Sequence, residues 1–182
     1  YYIGWNKGYK QPLFYASIGL AISEDNGRTF QKYSNAPILS RSEFDPCLVT
    51  SPNVIIDKGI WRMSYVSGVK WILENEKLKS YYHIKYAESN DGIIWNREGK
   101  ILIDFFDESE SNIARSSVIF EDNKFKMLWT KDKKLWSSNH DSPLIVFSPF
   151  GPSSMSYNST TTTSPPTRQM KATSKTFVPQ MY

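Results

Sequence analysis

An internal repeat limits what this chain of 182 residues can fold into more than any other feature of its sequence. The stretch AISEDNGRTF begins at Ala21, and the related stretch AESNDGIIW begins at Ala87. A second pair, VIIDKGIWRMSYV from Val54 and VIFEDNKFKMLWT from Val118, matches at five positions that share one constant offset. Two different hairpins that recur in the same order indicate one structural unit, copied along the chain.

The copied segments have the pattern of β-strands. WRMSY and FKMLW place large apolar residues at alternate positions, as a strand with one packed face requires. The Asp-Lys-Gly, Asp-Asn-Gly and Asp-Gly sequences supply turn residues that tolerate positive φ. No segment before residue 135 repeats its apolar residues with helical spacing. The four predicted strands of one unit, named A to D, are Asn53–Asp57, Ile60–Ser67, Tyr82–Ser89 and Ile93–Ile103.

Four antiparallel strands that recur at a nearly constant spacing are typical of the blades of a β-propeller. The chain spells B, C and D up to about Leu39, a complete A to D up to Ile103, and A and B up to Lys131. Its opening is placed as a B strand by aligning Trp5 with Tyr65. The sequence therefore predicts an all-β fold with about two blades. The alternative is a β-sandwich whose hairpins resemble one another.

The composition changes sharply near residue 136. Residues 136–182 are rich in Ser, Thr and Pro, and their apolar residues follow no strand register. We therefore predict a partial propeller over residues 1–135 and a disordered tail over residues 136–182. Two blades cannot close a ring that protects its strand edges, so the strands are expected to belong to a larger propeller.

Charge and composition exclude several kinds of site. The 22 basic and 18 acidic residues are interspersed, whereas a nucleic-acid partner requires a gathered basic face. No apolar run reaches the roughly 18 residues of a membrane span. One cysteine and two distant histidines predict no disulfide framework, no metal site and no cofactor. The compartment is left open, with the cytoplasm slightly favoured because no signal peptide is visible.

Two acidic residues lie ahead of the predicted A strands. Asp45 and Glu110 fall within one residue of equivalent positions when the copies are aligned on Val54 and Val118. The innermost strands of a propeller start around one funnel, so both carboxylates are predicted to face one concave site. Paired carboxylates are what glycosidic bond cleavage requires. The bland interpretation is that Asp45 opens a turn before Pro46 and that the loop DFFDESES is simply solvated.

Two further residues are predicted to bind substrate. Arg115 follows Glu110 closely and is a candidate to keep a carboxylate ionised or to hold a sugar hydroxyl. Trp71 is a candidate to stack on a sugar ring, as are Tyr81 and Trp5. Most aromatic residues of such a chain are nevertheless expected in the blade cores.

The segments FDP…SPNVI, IKYAESNDGIIW and ESNIARSSVIFEDNKFKMLW resemble the five-bladed propeller glycosidases of glycoside hydrolase families 43 and 32, the arabinanase, levansucrase and invertase type, over residues 1–131. The resemblance implies a partial five-bladed β-propeller built from four-stranded antiparallel blades. It also implies three acidic residues on successive blades. Asp45 matches the middle aspartate, which tunes the acid or stabilises the transition state. Glu110, or less well Glu108, matches the general acid. The third carboxylate would belong to a strand ahead of Tyr1, and Ser116 replaces a common proline.

The predicted function is a glycoside hydrolase-like propeller that acts on O-glycosidic bonds of a carbohydrate, or that derives from such enzymes and has lost activity. One alternative is a non-catalytic carbohydrate-binding or scaffold propeller. Another is a transferase or phosphorylase, because a fold does not fix a reaction. The predicted partner is a carbohydrate, with no nucleic acid and no membrane.

Overall fold

The computed structural model describes residues 1–8, 14–121, 124–131, 145–147 and 156–157, and these ranges contain no helix. Neighbouring strands in every sheet are antiparallel, which confirms the all-β prediction. The strands are β1 (Tyr2–Lys7), β2 (Phe14–Gly19), β3 (Ala21–Ile22), β4 (Gln31–Lys32), β5 (Leu48–Asp57), β6 (Ile60–Glu74), β7 (Lys77–Ser89), β8 (Ile101–Ile103), β9 (Ile113–Glu121), β10 (Lys124–Lys131), β11 (Ile145–Phe147) and β12 (Ser156–Tyr157).

The central sheet contains β5, β6, β7 and β8 in chain order and is the complete unit predicted as A to D. Its first three strands are longer than predicted. Strand β5 begins at Leu48, and the β6–β7 hairpin continues to Glu74 and Lys77. The hairpin closes at Asn75 and Glu76, whose φ angles of 50° and 62° are those of a two-residue type I′ turn. The B–C hairpin is therefore a long projection.

The fourth strand is much shorter than predicted: a turn occupies its first residues, and after it Asn96 meets Glu88 of β7 only in an isolated antiparallel bridge. Strand β8 begins at Ile101 rather than at Ile93. The carboxylate of Asp91 accepts the backbone N–H groups of Ile93 and Ile94 at 2.8 Å each. These bonds hold the backbone in a turn, so it cannot extend along β7 there.

A partial copy of the unit lies on each side of the central sheet. Strands β1 and β2 are B and C of the first copy, and Leu39 bridges Ile18 as Ile103 pairs with Ile84 one repeat later. Strands β9 and β10 are A and B of the last copy. Strands β11 and β12 extend this sheet beyond β10, inside the segment predicted as a strandless tail. The rest of residues 136–182 lies outside the described residues, so its predicted disorder stays a prediction.

The strand register corrects one predicted alignment. Ile18 and Ile84 are equivalent in the repeat, so the residues that follow them, Gly19 and Lys85, are equivalent as well. Gly19 pairs with Tyr2 across the first hairpin, and Lys85 pairs with Tyr65 across the second. Tyr2 is therefore the counterpart of Tyr65, and the predicted match of Trp5 with Tyr65 is wrong. An aromatic residue at several positions of β1 and its flank made both alignments look acceptable.

Two hydrophobic clusters fill the space between successive sheets, and they use the same five positions of the repeat. The central sheet is thus buried on both faces, which is how neighbouring propeller blades pack. The shared positions are Ile18, Leu39, Val49, Met63 and Tyr65 in one cluster and, in the same order, Ile84, Ile103, Ile113, Met127 and Trp129 in the other.

Candidate active site

Two turns of the same construction precede β5 and β9. The N–H of Asp45 donates to the carbonyl of Ser42, and the N–H of Glu110 donates to the carbonyl of Asp107. In each turn the side chain of the first residue also accepts the N–H two residues further on. Asp45 and Glu110 therefore occupy equivalent positions at the edge where the A strands start. This agrees with the register that the sequence predicted.

Asp45 is fully enclosed, with an exposed fraction of 0%. Arg97 Nη1 donates to Oδ2 at 2.9 Å, and Lys85 Nζ lies 3.7 Å from Oδ1. The Tyr65 hydroxyl lies 3.3 Å from both carboxylate oxygens, and Ser42 Oγ donates to Oδ2 at 3.1 Å. Two cations and two hydroxyl groups thus satisfy one carboxylate and leave it no open side.

The groups around Asp45 are themselves constrained. Lys85 is buried and also donates to the carbonyl of Phe44. Burial lowers the pKa of Lys85, and the charge of Asp45 opposes that shift. Burial, and then the charge of Asp45, raise the pKa of the Tyr65 phenol. Arg97 donates to the carbonyl of Ser40 at 2.6 Å as well, so it ties the segment ahead of the turn to the turn itself.

Glu110 is also buried, but only one cation pairs with it among the described residues. Its Oε2 accepts the backbone N–H of Phe106 at 2.9 Å, and its Oε1 forms an ion pair with Lys131 at the end of β10. The Lys131 side chain is 37% exposed, so water can solvate its ammonium group if the ion pair opens. Glu110 is therefore the acid that can be released towards a ligand with the smaller rearrangement.

Arg115 lies on a β-bulge that recurs in both A strands. Ser51 in β5 and Arg115 in β9, at equivalent positions of the repeat, have φ angles of 49° and 54° at the places where the strand register shifts. A bulge re-aims a side chain, and Arg115 is exposed. The cation paired with Glu110 is Lys131 rather than Arg115. The predicted contact of Arg115 with substrate stays a prediction.

Trp71 lies on the projecting part of the β6–β7 hairpin. Because β6 runs antiparallel to β5, its residues beyond Gly68 extend past the start of β5, the edge at which Asp45 lies. The Trp71 ring is half-buried and meets Phe14 edge-on at 5.7 Å between ring centroids. Its Nε1 is buried without a hydrogen-bond partner. The hairpin thus brings Trp71 to the predicted edge, and its contact with sugar stays a prediction.

A histidine–aspartate pair lies on the same sheet. His83 Nδ1 and Asp104 Oδ1 are 2.8 Å apart, and this hydrogen bond lowers the pKa of Asp104. The imidazole stacks on Phe105 with ring centroids 5.4 Å apart, and its Nε2 is buried without a partner. Across the described residues, no group of three His, Cys, Asp or Glu side chains has the arrangement of a metal site.

Sequence reasoning predicted the equivalent positions of Asp45 and Glu110 but not the cations that pair with them. Lys85 carried a readable signal: a strand packed between two sheets has both faces buried, and a charged residue inside it requires a counter-charge. Arg97 and Lys131 carried none. The residue equivalent to Arg97 in the preceding copy is Lys32, which is exposed. The residue equivalent to Lys131 is Ser67, which is uncharged.

Comparison with known proteins supports the fold and leaves the family open. No protein-family model matches the chain. Two uncharacterized proteins of Mycobacterium tuberculosis are each 33% identical to it over 127 residues, which is 70% of this chain and 41% of the relative. The chain thus spans less than half the length of the curated relatives it matches. None of its described residues form a helix that is long and apolar enough to cross a membrane.

Two solved structures resemble the chain. A glycoside hydrolase superposes on 70% of it, and on 35% of its own length, with a TM-score of 0.49 and 18% identity. The GH32 β-fructofuranosidase BmSUC1 of Bombyx mori superposes on 81% of this chain and 30% of its own length, with a TM-score of 0.59 and 18% identity. The chain therefore has the fold of part of a GH32 β-fructofuranosidase.

Proposed function

We propose that this chain is part of a five-bladed β-propeller enzyme that hydrolyses O-glycosidic bonds, with Asp45 and Glu110 in its active site. The observation that carries the proposal is the equivalent placement of the two acids, in matching turns ahead of successive A strands. The fold shared with a β-fructofuranosidase supports a carbohydrate as the substrate class. The exposed guanidinium of Arg115 and the ring of Trp71 are the proposed sugar contacts.

Glu110 is the proposed general acid, which protonates the leaving oxygen as the glycosidic bond breaks. Its cation, Lys131, is partly exposed, so a bound sugar can displace the ammonium group and take its place beside the carboxyl group. Once the ammonium group is displaced, the Glu110 carboxylate takes up a proton from solvent, and it donates this proton to the glycosidic oxygen at hydrogen-bond distance as the bond to the sugar carbon breaks.

Asp45 has a different proposed role, because its surroundings prevent it from moving. Arg97, Lys85 and Tyr65 occupy both of its oxygens, so the carboxylate cannot attack a sugar carbon without leaving two largely buried cations unpaired. We assign it a positioning role: it fixes the turn ahead of β5 and the floor of the site. The base or nucleophile is then a third carboxylate, on another blade of the full-length propeller.

One observation favours a second candidate, a propeller that binds carbohydrate or serves as a scaffold without catalysis. Both acids are neutralised by cations, and Asp45 has no exposed surface. A binding propeller would use Arg115 and the aromatic side chains and would leave both ion pairs closed.

The test is sugar release by the full-length protein that contains this chain, assayed on a panel of fructosides, arabinosides and mannosides. Glu110→Gln is expected to lower turnover by at least about 100-fold, the usual loss when a general acid is removed. Glu108→Gln tests the other candidate acid, which is exposed in the same turn, and turnover should not change; Glu24→Gln, at an exposed glutamate away from both turns, is the control. Equal turnover in Glu110→Gln and Glu24→Gln would remove Glu110 from the acid role. Saccharide binding without turnover by the unaltered protein would support the binding propeller instead.

A further inference from the structure

We propose that Trp5, backed by Phe14 and Trp71, is a stacking platform for a sugar unit remote from the cleaved bond. The substrate class is then an oligosaccharide or polysaccharide, in which several sugar units are bound at once. The inference deepens the proposed function and rests on it for the identity of the ligand as a carbohydrate.

The three rings form a row across two hairpins. Trp5 and Phe14 belong to β1 and β2, with ring centroids 4.8 Å apart, and Phe14 meets Trp71 of β6 at 5.7 Å. Phe14 and Trp71 are half-buried, whereas Trp5 is 60% exposed. The Trp5 indole is thus supported on one side and open on the other. A supported indole offers a large rigid apolar surface with little loss of side-chain entropy on binding, which suits the C–H face of a sugar ring.

The blade fold does not require an aromatic side chain at this position. Since Tyr2 is the counterpart of Tyr65, Trp5 is the counterpart of Gly68. A Cβ added to Gly68 would approach Leu48 to 2.7 Å, so the central copy excludes any side chain here. Trp5 is also absent from both repeating clusters. A large aromatic residue that is exposed and lies outside the repeated core is the kind of feature that marks a binding surface.

The row of rings lies at the edge of the sheets that carries the two acids. Both hairpins are B–C connections, and a B strand ends where its A strand begins. A sugar chain that reaches the turns of Asp45 and Glu110 therefore passes the ends of β1 and β6. The ammonium groups of Lys70 and Lys79, near the Tyr81 ring on the same hairpin, can donate to sugar hydroxyls there.

The test compares sugar length rather than sugar presence. Fructo-, arabino- and manno-oligosaccharides of two to six units are titrated calorimetrically into the full-length protein, and their hydrolysis is measured. Trp5→Ala is expected to weaken binding of the longest oligomers about tenfold, the upper range for one aromatic contact, and to leave disaccharides unchanged. Trp5→Phe should recover most of the loss. Phe30→Ala is the matched control, because Phe30 is 65% exposed directly ahead of β4, away from this edge.

The outcomes test the Trp5 platform independently of the proposed hydrolysis. A length-dependent loss in Trp5→Ala, together with full turnover in Glu110→Gln, would keep the platform and remove the assigned acid. An equal loss at every length, no loss at any length, or no saccharide binding by the unaltered protein would overturn the platform.

Discussion

The turns ahead of β5 and β9 have the same backbone and opposite surroundings. Asp45 is held by Arg97 and Lys85, both largely buried, and has no exposed surface. Glu110 is held by Lys131, whose side chain is 37% exposed. The repeat thus specifies where each acid stands and leaves its electrostatic environment to residues that the repeat does not specify. One carboxylate is enclosed by largely buried cations, and the other has a counter-ion that is partly exposed.

The largest expected effect is the loss of stability when the Asp45 carboxylate is removed. Asp45→Asn leaves Arg97 and Lys85 without a counter-charge in a buried place. Removing one partner of a buried ion pair costs about 3–5 kcal/mol. We expect urea unfolding to show a loss of that size, and Glu43→Gln, an exposed neighbour in the same turn, to change stability by less than about 0.5 kcal/mol. A loss in Asp45→Asn as small as that of the control would show that water reaches these cations.

A smaller effect tests the hydroxyl groups that complete the Asp45 site. Tyr65→Phe removes a donor that lies 3.3 Å from both carboxylate oxygens and keeps the ring in its cluster. A hydrogen bond to a charged group contributes about 1.5–3 kcal/mol, and the long distances place the expected loss at about 1.5 kcal/mol. Tyr33→Phe, at an exposed tyrosine, is the control for chemical denaturation. Two equal losses would mean that the Tyr65 hydroxyl adds nothing to the site.

Glu110→Gln should destabilise the fold less than either change at the Asp45 site. The glutamine oxygen can still accept the N–H of Phe106, and Lys131 can turn to solvent, so the expected loss is about 1 kcal/mol. Thermal unfolding of Glu110→Gln beside Glu108→Gln measures it. If Glu110→Gln proved as destabilising as Asp45→Asn, the two turns would be equivalent in energy as well as in backbone, and the contrast between them would disappear.

The sequence predicts the backbone of this fold well because the repeat is made of backbone requirements. Alternating apolar residues and turn chemistry predicted β5, β6, β7, β9 and β10, and the spacing of the repeat placed Asp45 and Glu110 in matching turns. The predicted start of β8 was wrong at Ile93 and Ile94 because Asp91 holds a turn there, where the apolar pattern alone indicated a strand.

The partners of the acids were beyond prediction for a physical reason. An ion pair between residues as far apart in sequence as Asp45 and Arg97 depends on how the sheet twists and packs, and no local pattern records that. Strand β11 was not predicted for a similar reason. Its pairing with β10 is a long-range contact, and the Ser-, Thr- and Pro-rich composition of residues 136–182 does not indicate a strand. The position of Trp5 became clear only from the register of β1 with β2.

The smallest effect is expected in the outer turns, which follow the C strands at Asp25 and Asp91. Unlike the turns of Asp45 and Glu110, these two turns surround their carboxylates in the same way. Here both copies keep the same chemistry: each carboxylate accepts a serine hydroxyl and two backbone N–H groups. Asp25 also accepts the hydroxyl of Thr29, at 2.6 Å. This hydrogen bond, with those from the Thr29 N–H and Ser23, lowers the pKa of Asp25 from 3.8 to about 2.

The sign of the pH effect follows from that direction. A folded-state pKa below the ordinary value stabilises the fold above about pH 4, and the contribution is lost as the pH falls towards 2. Thr29→Val removes one donor, so the Asp25 pKa should rise towards 3.8, while the pKa of Asp91, also below its ordinary value, should not change. Carboxyl chemical shifts followed by NMR between pH 1.5 and 6 measure both groups in one titration. If Asp25 kept its low pKa in Thr29→Val, the backbone N–H groups common to the two outer turns would be the main cause of that low pKa. The two outer turns would then have equivalent electrostatics, whereas the turns ahead of β5 and β9 do not.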